Sequence, residues 1–233
     1  RYNAMTPPSS ADSSSSIKPL PSYLVKRYMA WHKSGFEENR SWFQHLAEMG
    51  QHPRAMVISC CDSRVQATAI FGAESGEFFI HRNIANLIPP FNPSGDHHGT
   101  SAAIEYAVTA LKVAHILVLG HSGCGGIQHG YHTCNQTPGH GLEDTSFIKK
   151  WLDILNPAYD LLPDEGTDEE KIATLEKRSV VVSLQNLMGF PFVQEAIEAD
   201  RLTLHGLWQD IGSGALLAYN AETDAFEPLE SPL

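Results

Sequence analysis

The sequence is poor in positive charge. Its 233 residues hold 16 Lys and Arg against 27 Asp and Glu, a formal net charge of −11 with histidine neutral. Nucleic acids and anionic lipid surfaces are held by basic patches, so this balance argues against a nucleic-acid partner and against a peripheral hold on a membrane. Long apolar runs are also missing. The run around Ile116–Leu119 is strand-sized and far short of the roughly 20 residues that span a bilayer. The polar start has no apolar stretch of the kind a secretory leader carries, so the expected location is cytoplasmic. Cysteine is sparse. Four in a chain of this length do not make a disulfide scaffold, and no C-x-x-C pair is present to favour redox chemistry. No internal repeat or heptad pattern occurs. What the chain does have is a 42% hydrophobic content, enough for a core, and 12 histidines beside the four cysteines. In a chain of this class such residues point to metal ligation or catalysis.

Three stretches follow from the pattern. Residues 1–20 begin Ser- and Pro-rich without periodicity and read as a disordered tail. Residues 21–50 read as a helical arm, with Tyr28, Trp31 and His32 in a first helix and Trp42, Phe43 and Leu46 on one face of a second over Ser41–Met49. Aromatics so placed need a body or a partner subunit to cover them. Residues 51–233 read as an α/β domain. Strands are expected at Ala55–Ser59, Glu77–Arg82 and His115–Gly120. Helices are expected at Val65–Phe71, at Ser101–Leu111 behind a Thr100 cap, at Phe147–Leu155 ending before Pro157, in a long run to Met188, and from Pro191 to Ala199. Gly125–Gly141 reads as irregular. Leu202–Trp208 and Ala215–Tyr219 read as a closing hairpin around Gly212–Gly214. The expected fold is α/β: a mainly parallel central β-sheet flanked by helices, with an N-terminal helical arm and a C-terminal strand hairpin.

Two segments carry chemistry. Cys60-Cys61-Asp62-Ser63-Arg64 follows the first expected strand, and His121-Ser122-Gly123-Cys124-Gly125-Gly126 follows the third. Both therefore lie at carboxyl ends of strands, where open parallel sheets place ligands. Zinc binds thiolate sulfur and neutral imidazole, and Cys60, His121 and Cys124 supply three such ligands. A closed structural site needs a fourth from Cys61, Cys134 or Asp62; three ligands and an open position make a catalytic one. Neighbouring Cys60 and Cys61 point to opposite sides of an extended chain, which disfavours both on one ion. Asp62 and Arg64, two residues apart, face the same way and fit a bidentate pair. Gly123 and Gly125 let the backbone turn tightly at His121-x-x-Cys124.

Cys-x-Asp-Ser-Arg followed by His-x-x-Cys-Gly-Gly resembles the β-class carbonic anhydrases. The resemblance runs from about Ser41 to Leu229. It includes Gly76–Leu87, Ala102–Val108 and Leu204-His205-Gly206-Leu207-Trp208. It implies a zinc-dependent catalytic domain over 51–233, one Zn2+ per subunit on Cys60, His121 and Cys124, and an Asp62–Arg64 dyad that orients the zinc-bound nucleophile. It also implies that Asp62 can become a fourth ligand in a closed state. Gln51, Phe79, Ile84 and Tyr106 match substrate-binding positions of the plant-like subclass, with Gly125 beside them. Val57 stands where another subclass carries a regulatory Trp, so the plant-like subclass is favoured. The implied assembly is a homodimer or a dimer of dimers with the site at a subunit interface.

The activity so implied is reversible hydration of CO2 to bicarbonate and a proton by attack of zinc-bound hydroxide. A metal of this kind lowers the pKa of bound water to about 7, a magnitude long known for carbonic anhydrase itself. Two thiolates soften the charge on zinc, so a higher working pH is expected. The proton must then leave, and His81, His97, His98, His129, His132 and His140 are the candidate carriers. Two rival functions remain: a structural zinc module, which has no use for Asp62, Arg64 or Gln51, and a lyase acting on CS2 or COS from the same scaffold.

Overall fold

The computed structural model describes residues 18–95, 98–138 and 146–229. The tail expected at the start lies largely outside them, as do His97, His140 and the side chain of His98. The chain divides into two units, Arg1–Gly50 and Gln51–Leu233.

The first unit holds helix α1 (Ser22–Trp31), a wide π-turn over His32–Phe36, and helix α2 (Arg40–Met49). Trp31, Phe36 and Phe43 form an aromatic knot, with ring centroids 5.4–5.9 Å apart. That knot ties the helices to each other, yet neither helix contains a buried residue. Tyr23, Tyr28, Met29, Trp31, Trp42 and Met49 remain exposed.

The second unit is a six-stranded sheet in the order β2-β1-β3-β4-β5-β6. Its strands are β1 (Ala55–Cys60), β2 (Phe78–Asn83), β3 (His115–His121), β4 (Thr203–Gln209), β5 (Leu216–Asn220) and β6 (Ala225–Pro228). The first four run parallel, and the last two are antiparallel. All six residues of β1 are buried. That continuous run marks a central strand covered on both faces. Met56 and Ile58 enter one core with Ile116, Val118 and Val180. Val57 points the other way, to Leu119 and Leu207.

The longest helix, α8 (Asp168–Leu187), starts with a capping box between Thr167 and Glu170. Its Val180 packs onto the sheet over two glycines. A Cβ on Gly120 would stand 2.7 Å from Val180 Cγ2, and one on Gly206 would stand 2.8 Å from Leu184 Cδ1. Glycine at both positions is what lets this helix approach β3 and β4.

Several expectations change. The irregular stretch at Gly125–Gly141 begins as a regular helix, α5 (Gly125–Cys134). Glycine and histidine are weak helix formers, but Ile127, Gly130 and Tyr131 are buried here, against a core that includes Leu152 and Leu155. Tertiary packing overrides propensity. Thr100 is not a cap: helix α4 (His98–Glu105) already starts before it, and its hydroxyl serves His81 Nε2 at 3.0 Å and Asn83 Nδ2 at 3.3 Å. Helix α6 (Ser146–Leu152) passes through a 3-10 turn into α7 (Asn156–Tyr159), which Pro157 helps to start. A proline in a first helical turn loses no hydrogen bond. The other elements are α3 (Ala67–Phe71) and α9 (Pro191–Glu198). Strand β6 was not expected: with four residues and little apolar alternation it forms by pairing along β5. Among the described residues no helix is long and apolar enough to cross a membrane.

Candidate metal centre

The pairing of β1 with β3 brings the two motif segments together. Cys60 ends β1 and His121 ends β3, so both emerge at the same edge of the sheet. Gly123, at φ 63°, turns the chain so that Cys124 becomes the N-cap of α5. Cys60, His121 and Cys124 are all buried, and their ligand atoms lie within 4.8 Å of one another. The two Sγ atoms are 3.9 Å apart. Metal–sulfur bonds of about 2.3 Å at a tetrahedral angle require about 3.8 Å.

His121 supplies the sharpest test of fit. Its Nδ1 lies 3.0 Å from the Ser122 carbonyl, which can only accept, so that nitrogen carries the proton. In the neutral ring Nε2 is then a bare lone pair, and it is buried and without a hydrogen-bond partner. A buried lone pair facing two sulfurs is costly unless something electrophilic takes it. The donor set suits zinc. The three groups also bias one another's protonation. The Cys124 thiol draws the Cys60 thiol well below its ordinary value, and Cys60 together with burial pushes Cys124 up. Burial opposes protonation of His121, but Cys60 and the Ser122 carbonyl carry it above its ordinary value.

Asp62 stands at the rim. Arg64 grips it with Nε to Oδ1 at 3.0 Å and Nη2 to Oδ2 at 2.6 Å, while the Arg64 backbone N–H adds 2.9 Å to Oδ1. The guanidinium holds the carboxyl well below the usual carboxylate range. The same Nη2 donates to the Gly123 carbonyl at 2.9 Å, so Arg64 ties the two motif segments to each other. Both carboxylate oxygens are therefore engaged by Arg64. Cys61 is exposed. Cys134, at the far end of α5, donates to Asn156 Oδ1 at 3.4 Å. Neither belongs to the cluster.

Three residues of the site were not legible in the motifs. Arg82, on β2, donates to the carbonyls of Cys60 (2.8 Å), Asp62 (2.6 Å) and Val65 (2.9 Å), fixing the turn that carries the first ligand. Glu176, buried on α8, accepts from the Cys124 N–H at 3.0 Å. Burial raises its pKa against the pull of the Cys124 and Gly123 amides. Asp210, after β4, accepts from Ser122 Oγ at 2.8 Å and so fastens the loop on the other side.

The remaining expected residues separate into groups. Ile84 is close: a Cβ on Gly126 would stand 2.8 Å from Ile84 Cγ2. Gly125 has open space beside it. Phe79 and Tyr106 face each other with ring centroids 5.9 Å apart. Phe79 lies four residues before Asn83, which pairs with Cys60, so it sits about 13 Å down the strand from the metal ligands. Tyr106 is 48% exposed. Gln51 is exposed ahead of β1. Among the candidate proton carriers, His129 is exposed one turn into α5, with Nδ1 on the Gly125 carbonyl at 2.6 Å. His132 contacts Thr137, and His81, half-buried beside Thr100, is held below its ordinary pKa by burial.

A family model described as carbonic anhydrase matches residues 55–216. The chain is 36% identical over 190 residues to beta carbonic anhydrase 3 of Arabidopsis thaliana, covering 80% of this chain and 72% of that one. Among solved structures, the β-carbonic anhydrase CcaA superposes with a TM-score of 0.77 at 29% identity, covering 91% of this chain and 93% of that one. One of two tetrameric β-carbonic anhydrases of Sordaria macrospora gives 0.72 at 32% identity, covering 85% and 96%. Motif, metal cluster, sheet order and these likenesses agree, and the chain belongs to the β-class carbonic anhydrases.

Proposed function

We propose that Cys60, His121 and Cys124 hold one Zn2+ and that the chain hydrates CO2 reversibly to bicarbonate and a proton beside it. The buried, unpartnered Nε2 of His121 facing two sulfurs, with Asp62 locked next to them, carries this assignment. Zinc bound there is a Lewis acid that makes water acidic near neutral pH. Asp62, ionised and immobilised by Arg64, accepts a hydrogen bond from the proton-bearing oxygen and aims its lone pair at carbon. An anion with no proton to offer meets the carboxylate charge instead and is disfavoured. The open space at Gly125 and the apolar side chain of Ile84 give a small, nonpolar molecule room next to the ligands.

Phe79, Tyr106 and Gln51 are too far along the fold to line the same pocket from within one chain. We assign them to the pocket of a neighbouring subunit, with Gln51 donating to a substrate oxygen as charge develops. The exposed aromatics of α1 and α2 support a homodimer or a dimer of dimers. So does the relative from Sordaria macrospora, which is tetrameric. On this assignment 21–50 is the assembly arm and 51–233 the catalytic domain. His129, exposed and a turn from the ligand loop, is the proposed proton carrier. Four free thiols, two of them at the metal, favour a reducing compartment such as the cytoplasm.

Asp62→Asn tests the assignment. It preserves shape and removes a negative acceptor. Zinc content should stay at one per chain while CO2 hydration falls about 100-fold. Unchanged hydration would remove Asp62 from the mechanism, and a preference for CS2 or COS in the same assay would redirect the substrate.

A further inference from the structure

A second group of nitrogen ligands lies at the opposite end of the sheet. In the parallel pairing of β3 with β4, His115 stands across from Thr203. Side chains two apart on a strand share a face, so His205 projects beside Thr203. The three meet closely: His115 Nδ1 is 2.7 Å from Thr203 Oγ1, His205 Nε2 is 2.9 Å from the same oxygen, and the two ring nitrogens are 3.4 Å apart. All three residues are exposed to solvent.

Two imidazole nitrogens this close cannot both carry protons without repulsion. Partial desolvation of its ring, and then the neighbouring His115, hold His205 below its ordinary pKa, which keeps its lone pair available at neutral pH. The separation also has a specific meaning. Zinc–imidazole bonds of about 2.0–2.1 Å at a tetrahedral angle place their nitrogens about 3.3–3.4 Å apart. The protein already holds that spacing, through backbone pairing rather than through a flexible loop. From this juxtaposition we infer that His115 Nδ1 and His205 Nε2 form a surface site for a borderline divalent transition cation such as Zn2+, with water completing the coordination. Imidazole suits zinc, nickel and copper, whereas Mg2+ and Ca2+ prefer oxygen donors and are not expected here. His115 and His121 are six residues apart on one extended strand, about 20 Å, so this site and the Cys60–His121–Cys124 centre do not share a cation.

The test uses zinc-loaded protein with 15N-labelled histidine. Adding Zn2+ beyond the first equivalent should shift His115 Nδ1 and His205 Nε2 in step with uptake of one further ion per chain, and Mg2+ should shift neither. His115→Gln and His205→Gln should each weaken that extra uptake at least tenfold, while the first zinc and the hydration rate are retained. Equal extra uptake by wild type and both variants would overturn the inference. So would silence at these two nitrogens in the wild type, a readout that stands even if a variant fails to fold.

Discussion

At the scale of single residues the site depends on who holds whom. Arg64 binds Asp62 through two nitrogens and also reaches the Gly123 carbonyl. Arg64→Ala should therefore leave zinc bound but lower hydration about 10–100-fold, the usual cost of losing an orienting partner. Stopped-flow rates alongside metal analysis check this. Glu176→Ala removes the acceptor of the Cys124 N–H and should instead speed zinc loss to a chelator by about 10–100-fold. The contrast between these two was only half visible in the sequence. Cys60, Asp62, Arg64, His121 and Cys124 were legible because unusual residue types crowd just after apolar strands. Glu176 and Arg82 were not, since each sits inside an ordinary helical or strand pattern and gains its role only when the chain folds onto a motif far away in sequence.

At the scale of elements, helix α8 and the β4–β5 turn hold the metal loop in place. Gly206→Ala places a methyl within 2.8–3.2 Å of Leu184, Val180 and Tyr219. It should destabilise by about 1–3 kcal/mol, measured by urea unfolding. Asp210 anchors the turn, and the hydroxyls of Ser213 and Ser122 lower its pKa to about 2. A carboxylate lowered in the folded state contributes stability above its ordinary value of about 3.8 and loses it as pH falls towards 2. Asp210→Asn should thus lower the urea midpoint at pH 7, and the gap from wild type should close between pH 4 and pH 2. The parallel strands were readable as apolar runs. Helix α5 was not, because its Gly- and His-rich composition argues against a helix until Leu152 and Leu155 cover it, and β6 was too short to show a period.

At the scale of the whole molecule, the proposed pocket is shared between subunits. Cys124→Ser and Tyr106→Ala, each impaired alone, should complement when mixed, unfolded and refolded together. Random pairing in a two-fold assembly leaves about a quarter of the sites intact. No recovery would mean that each chain carries a self-sufficient pocket. The excess acidity argues against nucleic-acid and anionic-lipid partners but says little about this, since the reacting groups are a local cluster. The central claim is that Cys60, His121 and Cys124 make one zinc site that hydrates CO2. Stopped-flow CO2 hydration with zinc content measured on the same samples tests it most directly. Wild type should carry one zinc per chain and hydrate CO2 rapidly, and Cys124→Ser should lose both. Zinc-replete wild type without hydration activity, or a fully active Cys124→Ser, would contradict it.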